Sequence, residues 1–193
     1  VGDLEMGMRT DVIHRLQEAL PKVRAWIDQL LKVHSETSRP VASLGYHRLA
    51  SYYPPEVLGS AKTVLVDKTP FPPVLQFGLP EFAAHADRSF GGITFQNTFF
   101  VAKAAMSEAL CFHELVHVVQ WARLGANRFL LAYALGLARW QYEGSALETM
   151  AYDLQSQFER GSDLKALIPY INEKTDAIWA ETAAFLAEIG VAH

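Results

Sequence analysis

A chain of 193 residues, half of them hydrophobic and a fifth charged, has the composition of an ordinary globular protein and enough length to bury a core, so 1–193 reads as one domain. The formal net charge of −4 and the lack of any Lys/Arg run argue against nucleic acid as a partner. A single cysteine excludes an intrachain disulfide framework and leans toward a reducing, cytoplasmic setting.

In chain order, Val1-Gly2-Asp3-Leu4-Glu5 is acidic and lacks the apolar run of a signal peptide, although a start other than Met leaves room for a removed leader or tag. Residues 1–9 read as a loose tail. From Thr10 to Val33, the residues Val12, Ile13, Leu16, Leu20, Val23, Ile27, Leu30 and Leu31 recur at helical steps. This predicts one long amphipathic helix, kinked or restarted at Pro21. The polar stretch 35–40 reads as a turn, and 41–53 as a short helix stopped by Pro54-Pro55. Thr63-Val64-Leu65-Val66-Asp67 has the β-branched content of one strand. Thr69-Pro70-Phe71-Pro72-Pro73 suits neither a sheet interior nor a helix, so it is a loop. Glu81 to Arg88 reads as a helical turn. After Gly91-Gly92, Ile93-Thr94-Phe95 and Thr98-Phe99-Phe100-Val101 are expected to form a hairpin about Gln96-Asn97.

Ser107 can cap the next helix, with Glu108 in its first turn and Leu124-Gly125 as its stop. Beyond it the chain reads as helical: Asn127 to Trp140, then Glu143 or Ser145 to Arg160, then Ser162 to Gly190 interrupted at Pro169. The apolar run Phe129 to Ala138 is too short to span a bilayer and is expected to be buried, so no transmembrane segment is expected. The fold class is therefore α+β, predominantly helical, with a small antiparallel sheet or hairpin ahead of the central helix.

That central helix carries the chemistry. Leu110-Cys111-Phe112-His113-Glu114-Leu115-Val116-His117 contains the spelling H-E-x-x-H. Residues four apart lie one turn up on the same helix face, so His113 and His117 can direct two neutral nitrogens at one Zn²⁺. Glu114 beside them is placed to act as the base toward a water. Two histidines and an acid on an otherwise apolar helix are costly to bury without a shared partner. Cys111, about 200° around the helix from His113, is not a ligand of the same ion and reads as core. His14, His34, His47, His85 and His193 read as surface or satisfied core residues, with His85-Ala86-Asp87 able to donate to metal or substrate.

A hydrolytic zinc site takes three protein ligands and leaves a position for water. The longer motif H-E-x-x-H-x-x-G-x-x-H is excluded, because Gln120 and Arg123 stand where it needs Gly and His. A Glu from a later helix is the natural third donor, and Glu143 and Glu148 both qualify. Periodicity puts Glu143 on the stripe of Leu147, Met150, Leu154 and Phe158, with Glu148 about 100° off it. Ser145-x-x-Glu148 also spells a capping box, which would spend that carboxylate on its own helix. Glu143, for its part, precedes Gly144 and can fall outside the helix. The residues alone leave the choice open.

His113-Glu114-x-x-His117 followed by Glu148-Thr149-Met150-Ala151-Tyr152 resembles the gluzincin metallopeptidases. The run His113 to Gly125, then an apolar helix, then Leu147-Glu148-x-x-Ala151-Tyr152, is also similar to compact bacterial zincin-like proteins related to metallopeptidase domains of toxin systems. The resemblance covers about residues 91–158. It implies a zincin-like fold and a Zn²⁺-dependent peptidase acting on a peptide or protein substrate, with Glu114 as general base and His113, His117 and Glu148 as ligands. It also implies an edge strand holding extended substrate, a place that falls to Thr98–Val101. Many gluzincins carry Asp four residues after the third ligand. Tyr152 stands there instead, with Asp153 one residue on. Tyr133, Tyr142 and Tyr152 are the candidate oxyanion donors.

Overall fold

The β-branched and aromatic runs on either side of Gln96-Asn97 do pair as a hairpin. The turn is made without glycine, because Gln96 itself takes the left-handed conformation at φ 57. The computed structural model describes residues 2–86 and 90–190, apart from the side chains of 2–10, 86 and 138–144. Its strands are β1 (Arg39–Pro40), β2 (Lys62–Val66), β3 (Gly92–Phe95) and β4 (Thr98–Ala102), in one sheet of order β1-β2-β4-β3. β1 runs antiparallel to β2, β2 parallel to β4, and β3 antiparallel to β4. The sheet is therefore mixed, where the sequence suggested purely antiparallel pairing. β4 lies inside the sheet, with Phe99, Phe100 and Val101 wholly buried. The edge strand expected at Thr98–Val101 is instead β3, because the hairpin folds outward while β2 takes the inner side.

Helices make up most of the rest: α1 (Gly2–Val33), α2 (Pro55–Ser60), α3 (Ala83–Ala86), α4 (Glu108–Gly144), α5 (Ala146–Glu159) and α6 (Leu167–Glu188). The architecture is α+β with helix in excess. α1 begins at Gly2, so the loose tail expected for 1–9 is helical from its second residue. It also continues through Pro21 without restarting. Its buried face is Ile13, Leu16, Ala19, Leu20, Val23 and Ile27, the stripe that the periodicity marked. Residues 41–53 form two short 3-10 turns, Val41–Leu44 and His47–Ser51, and Pro55 opens α2 rather than closing a helix. Pro169 likewise sits in the first turn of α6, where the missing N–H costs no bond.

The stop expected at Leu124-Gly125 appears as a break inside one element. Ser107 caps α4, its Oγ accepting from the Leu110 N–H at 3.1 Å, but the helix continues to Gly144. At Gly125, φ is +71, which no regular right-handed helix contains. The chain therefore changes direction there. The Trp121 and Phe129 rings stack with centroids 4.1 Å apart, whereas eight residues of straight helix advance about 12 Å. The stretch 126–144 accordingly returns over the site. α4 packs chiefly on α5 and α6 and meets the sheet at β3, so the core lies on both of its sides. No helix among the described residues is long and apolar enough to cross a membrane.

Candidate metal centre

His113, Glu114 and His117 lie on the first stretch of α4 and Glu148 in the first turn of α5, and all four side chains are nearly sequestered at 2–4 % exposure. His113, His117 and Glu148 form a group able to hold a metal ion. The two Nε2 atoms are 3.1 Å apart. Glu148 approaches His113 Nε2 through Oε2 and His117 Nε2 through Oε1, each at 3.4 Å. A tetrahedral ion with bonds of about 2.0–2.1 Å separates its donors by about 3.3 Å. The edges present fit that figure. Glu148 Oε2 is buried with no hydrogen-bond partner among the described residues, a costly state for an anionic oxygen unless a cation shares it.

The capping-box use of Glu148 does not occur. Ser145 stands at the N-cap of α5, but its side chain makes no capping bond and its Oγ is buried without a hydrogen-bond partner among the described residues. The Glu148 carboxylate turns inward and accepts from the Tyr133 hydroxyl at 2.7 Å. Glu143 belongs to the last turn of α4, and its side chain, with that of Tyr142, is outside the described residues. The same holds for Asp87 and His193.

Gln120 was noted in the sequence only for not being glycine. It is fully buried, its Oε1 lies 2.8 Å from His117 Nδ1, and its Nε2 donates to the Leu147 carbonyl at 3.1 Å. One amide thus orients the His117 ring and ties α4 to the residue preceding Glu148. The available signal was a polar residue three positions after His117 on an apolar helix face. His113 has no such support: its Nδ1 is buried without a hydrogen-bond partner among the described residues, and the Tyr152 ring packs against it at 4.6 Å. Asp153 is exposed. Cys111 is buried in the core beside Met106, as the helix geometry required.

Glu114 faces β3. Thr94 Oγ1 donates to its Oε2 at 2.6 Å, and the Thr94 carbonyl accepts from the Trp121 indole at 3.2 Å. Gly92 passes so close that an added Cβ would lie 2.8 Å from Glu114 Cδ, so the glycine makes room for the carboxylate. Gly91 accepts a backbone bond from Ala102. By the antiparallel alternation, Gly92 and Thr94 then turn their backbone groups away from β4.

The charges reinforce one another. Burial raises the Glu114 pKa above the usual carboxylate range, opposed by His113, His117 and Thr94. Burial works against a charged His117, but Glu148, Glu114 and Gln120 overcome it and lift its pKa to about 9. Burial likewise opposes ionisation of Glu148, and the two imidazoles outweigh it and hold the carboxyl well below its ordinary range. Without metal, Glu148 is an anion paired with protonated His117. A divalent cation would replace that proton.

A chamber opens on the Glu114, His117 and Glu148 side. Its walls include Leu16, Leu20 and Val23 of α1, the segment Phe71–Phe82, β3, and Phe129, Leu130, Tyr133 and Leu137 of the returning stretch of α4. His85 is buried and also reaches it, whereas His14 and His47 are exposed and His34 packs on Phe100. No protein-family model, curated protein or solved structure matches this chain.

Proposed function

We propose that the protein is a zinc-dependent peptidase of zincin-like architecture, with His113, His117 and Glu148 as ligands and Glu114 as general base. The reading is carried by the convergence of three donors from two helices on one point, beside an acid that faces the same chamber. Bound there, zinc would supply Lewis acidity, polarising a carbonyl and making water acidic enough to lose a proton near neutral pH.

Glu114 takes one proton from the attacking water and delivers it to the leaving nitrogen as the C–N bond breaks. The water oxygen stays in the new carboxyl group, and one water is consumed per bond cut. Burial suits Glu114 to this work, since a carboxylate of raised pKa is a stronger proton acceptor. Thr94 holds Oε2, so the carboxylate is aimed before substrate arrives. Gly92 sets outward-facing backbone beside it, the place from which an edge strand pairs with an extended peptide. Tyr133, already bonded to Glu148, lines the same chamber and is a candidate donor to the developing oxyanion.

With zinc-loaded protein, Glu114→Gln is expected to slow hydrolysis of a denatured protein substrate by about 10²–10⁴-fold while zinc content stays the same. Equal cleavage by the two forms refutes the peptidase reading. The near-complete burial of the ligands and base favours a second reading, a zinc-binding protein that does not hydrolyse. In that case wild type retains zinc and cleaves nothing.

A further inference from the structure

The chamber beside the candidate metal centre is polar at one end and largely apolar elsewhere, although Thr94, His85 and Tyr133 also line it. Glu114, His117 and Glu148 meet it on one side, and Leu16, Leu20, Val23, Phe129, Leu130 and Leu137 enclose much of the rest. An empty space lined this way is a place for an apolar group, since water there would lack the two to four polar partners it needs. Its room is about 110 Å³, somewhat less than the ~150 Å³ of an engineered apolar cavity that binds benzene. That admits one ring or one branched aliphatic group and excludes a long acyl chain.

Part of the chamber wall comes from α1, whose Leu16 and Val23 belong to one buried stripe with Ile13, Ala19 and Ile27. Polar ties pin the helix at its two flanks, Arg15 to Glu81 on one side and Gln96 to Asp28 on the other. α1 is therefore a fixed wall of the chamber and lies far in sequence from the H-E-x-x-H stretch.

We propose that this chamber receives one apolar side chain of the substrate, of leucine to phenylalanine size, next to the bond to be cut. Leu16, Leu20 and Val23 of α1 set that size limit. The occupant's identity as a peptide side chain rests on the hydrolase reading above; the chamber's selectivity for a compact apolar group does not.

Two measurements separate these. Metal-free protein is titrated with benzene and with n-hexylbenzene, followed by ligand-observed NMR. Saturable benzene binding is expected, with n-hexylbenzene at least tenfold weaker. Ala134 lines the chamber, and Ala134→Phe should lower benzene affinity tenfold or more, with Ala134→Val intermediate and better suited to folding. Circular dichroism and zinc stoichiometry verify each variant. Failure of wild type to bind benzene saturably, or undiminished binding by a folded Ala134→Phe variant, overturns the inference.

With zinc-loaded wild type, peptides bearing Leu or Phe beside the cut bond should exceed the Ala peptide in kcat/KM by about fourfold per buried methylene. Cleavage that ignores side-chain size overturns the inference as well. Benzene binding without cleavage of any peptide supports the apolar site and refutes the hydrolase reading.

Discussion

The two sides of the candidate centre are built on different principles. On the α4–α5 side most of the central atoms have directed partners, His117 with Gln120, Gln120 with Leu147, Glu148 with Tyr133 and Glu114 with Thr94, while His113 Nδ1 and Glu148 Oε2 have no hydrogen-bond partner among the described residues. On the α1 side, contact is apolar packing through Leu16, Leu20 and Val23, and polar bonds are made by Arg15, Arg24 and Asp28 beside that stripe. Directed bonds define atoms to within a few tenths of an ångström but fail when one partner is lost. Packing defines a volume and degrades gradually with each methylene removed. Substitutions on the α1 side can therefore change the volume of the chamber while the directed bonds around Glu114 and His117 stay in place.

The largest effect should come from the polar side. Glu148→Ala is expected to weaken zinc binding by more than 100-fold, because it removes a ligand and leaves a buried void. Zinc titration with a competing chelator measures it, and near-normal affinity would transfer the third position to Glu143. Next comes the packing side. Ile27→Ala, at a residue 1 % exposed, should cost about 2–5 kcal/mol in urea unfolding of the metal-free protein. Bound zinc should remain stoichiometric, and loss of zinc by the folded variant would erase the distinction between the two sides.

A smaller effect is expected at the link between ligand helices. Gln120→Leu keeps the volume and removes both bonds, and should lower zinc affinity by about 10–100-fold. A Co²⁺-substituted sample should then show an altered visible spectrum, which a change in packing alone would not produce. The smallest belongs to Tyr133→Phe, which removes one hydroxyl from Glu148 and keeps the ring in the chamber wall. Zinc affinity should fall less than tenfold, about 1 kcal/mol, and benzene binding should be unchanged.

Much of this is legible in the sequence, and the illegible parts share a cause. Helical spacing marks the buried face of α1 and His113 with His117 on one turn, and β-branched and aromatic runs mark the hairpin about Gln96-Asn97, all signals set within a few residues. What failed depended on partners distant in sequence. The resemblance implies an edge strand at Thr98–Val101, and nothing near those residues reveals that β2, more than thirty residues upstream, pairs along the other side. The resemblance, and not the residues alone, points to Glu148 over Glu143, because a capping box is as good a use of that carboxylate until Tyr133 and two imidazoles offer better ones.

The sequence by itself determined which side chains could do chemistry and which helix presents two of them together, since a spacing of four suffices for that. Only the folded chain reveals that the stretch after Gly125 comes back over the site, that Gln120 joins α4 to the residue before Glu148, and that α1 helps close an apolar chamber beside Glu114. These depend on where elements remote in the chain come to rest, and local periodicity carries no record of which distant surface a buried face will meet.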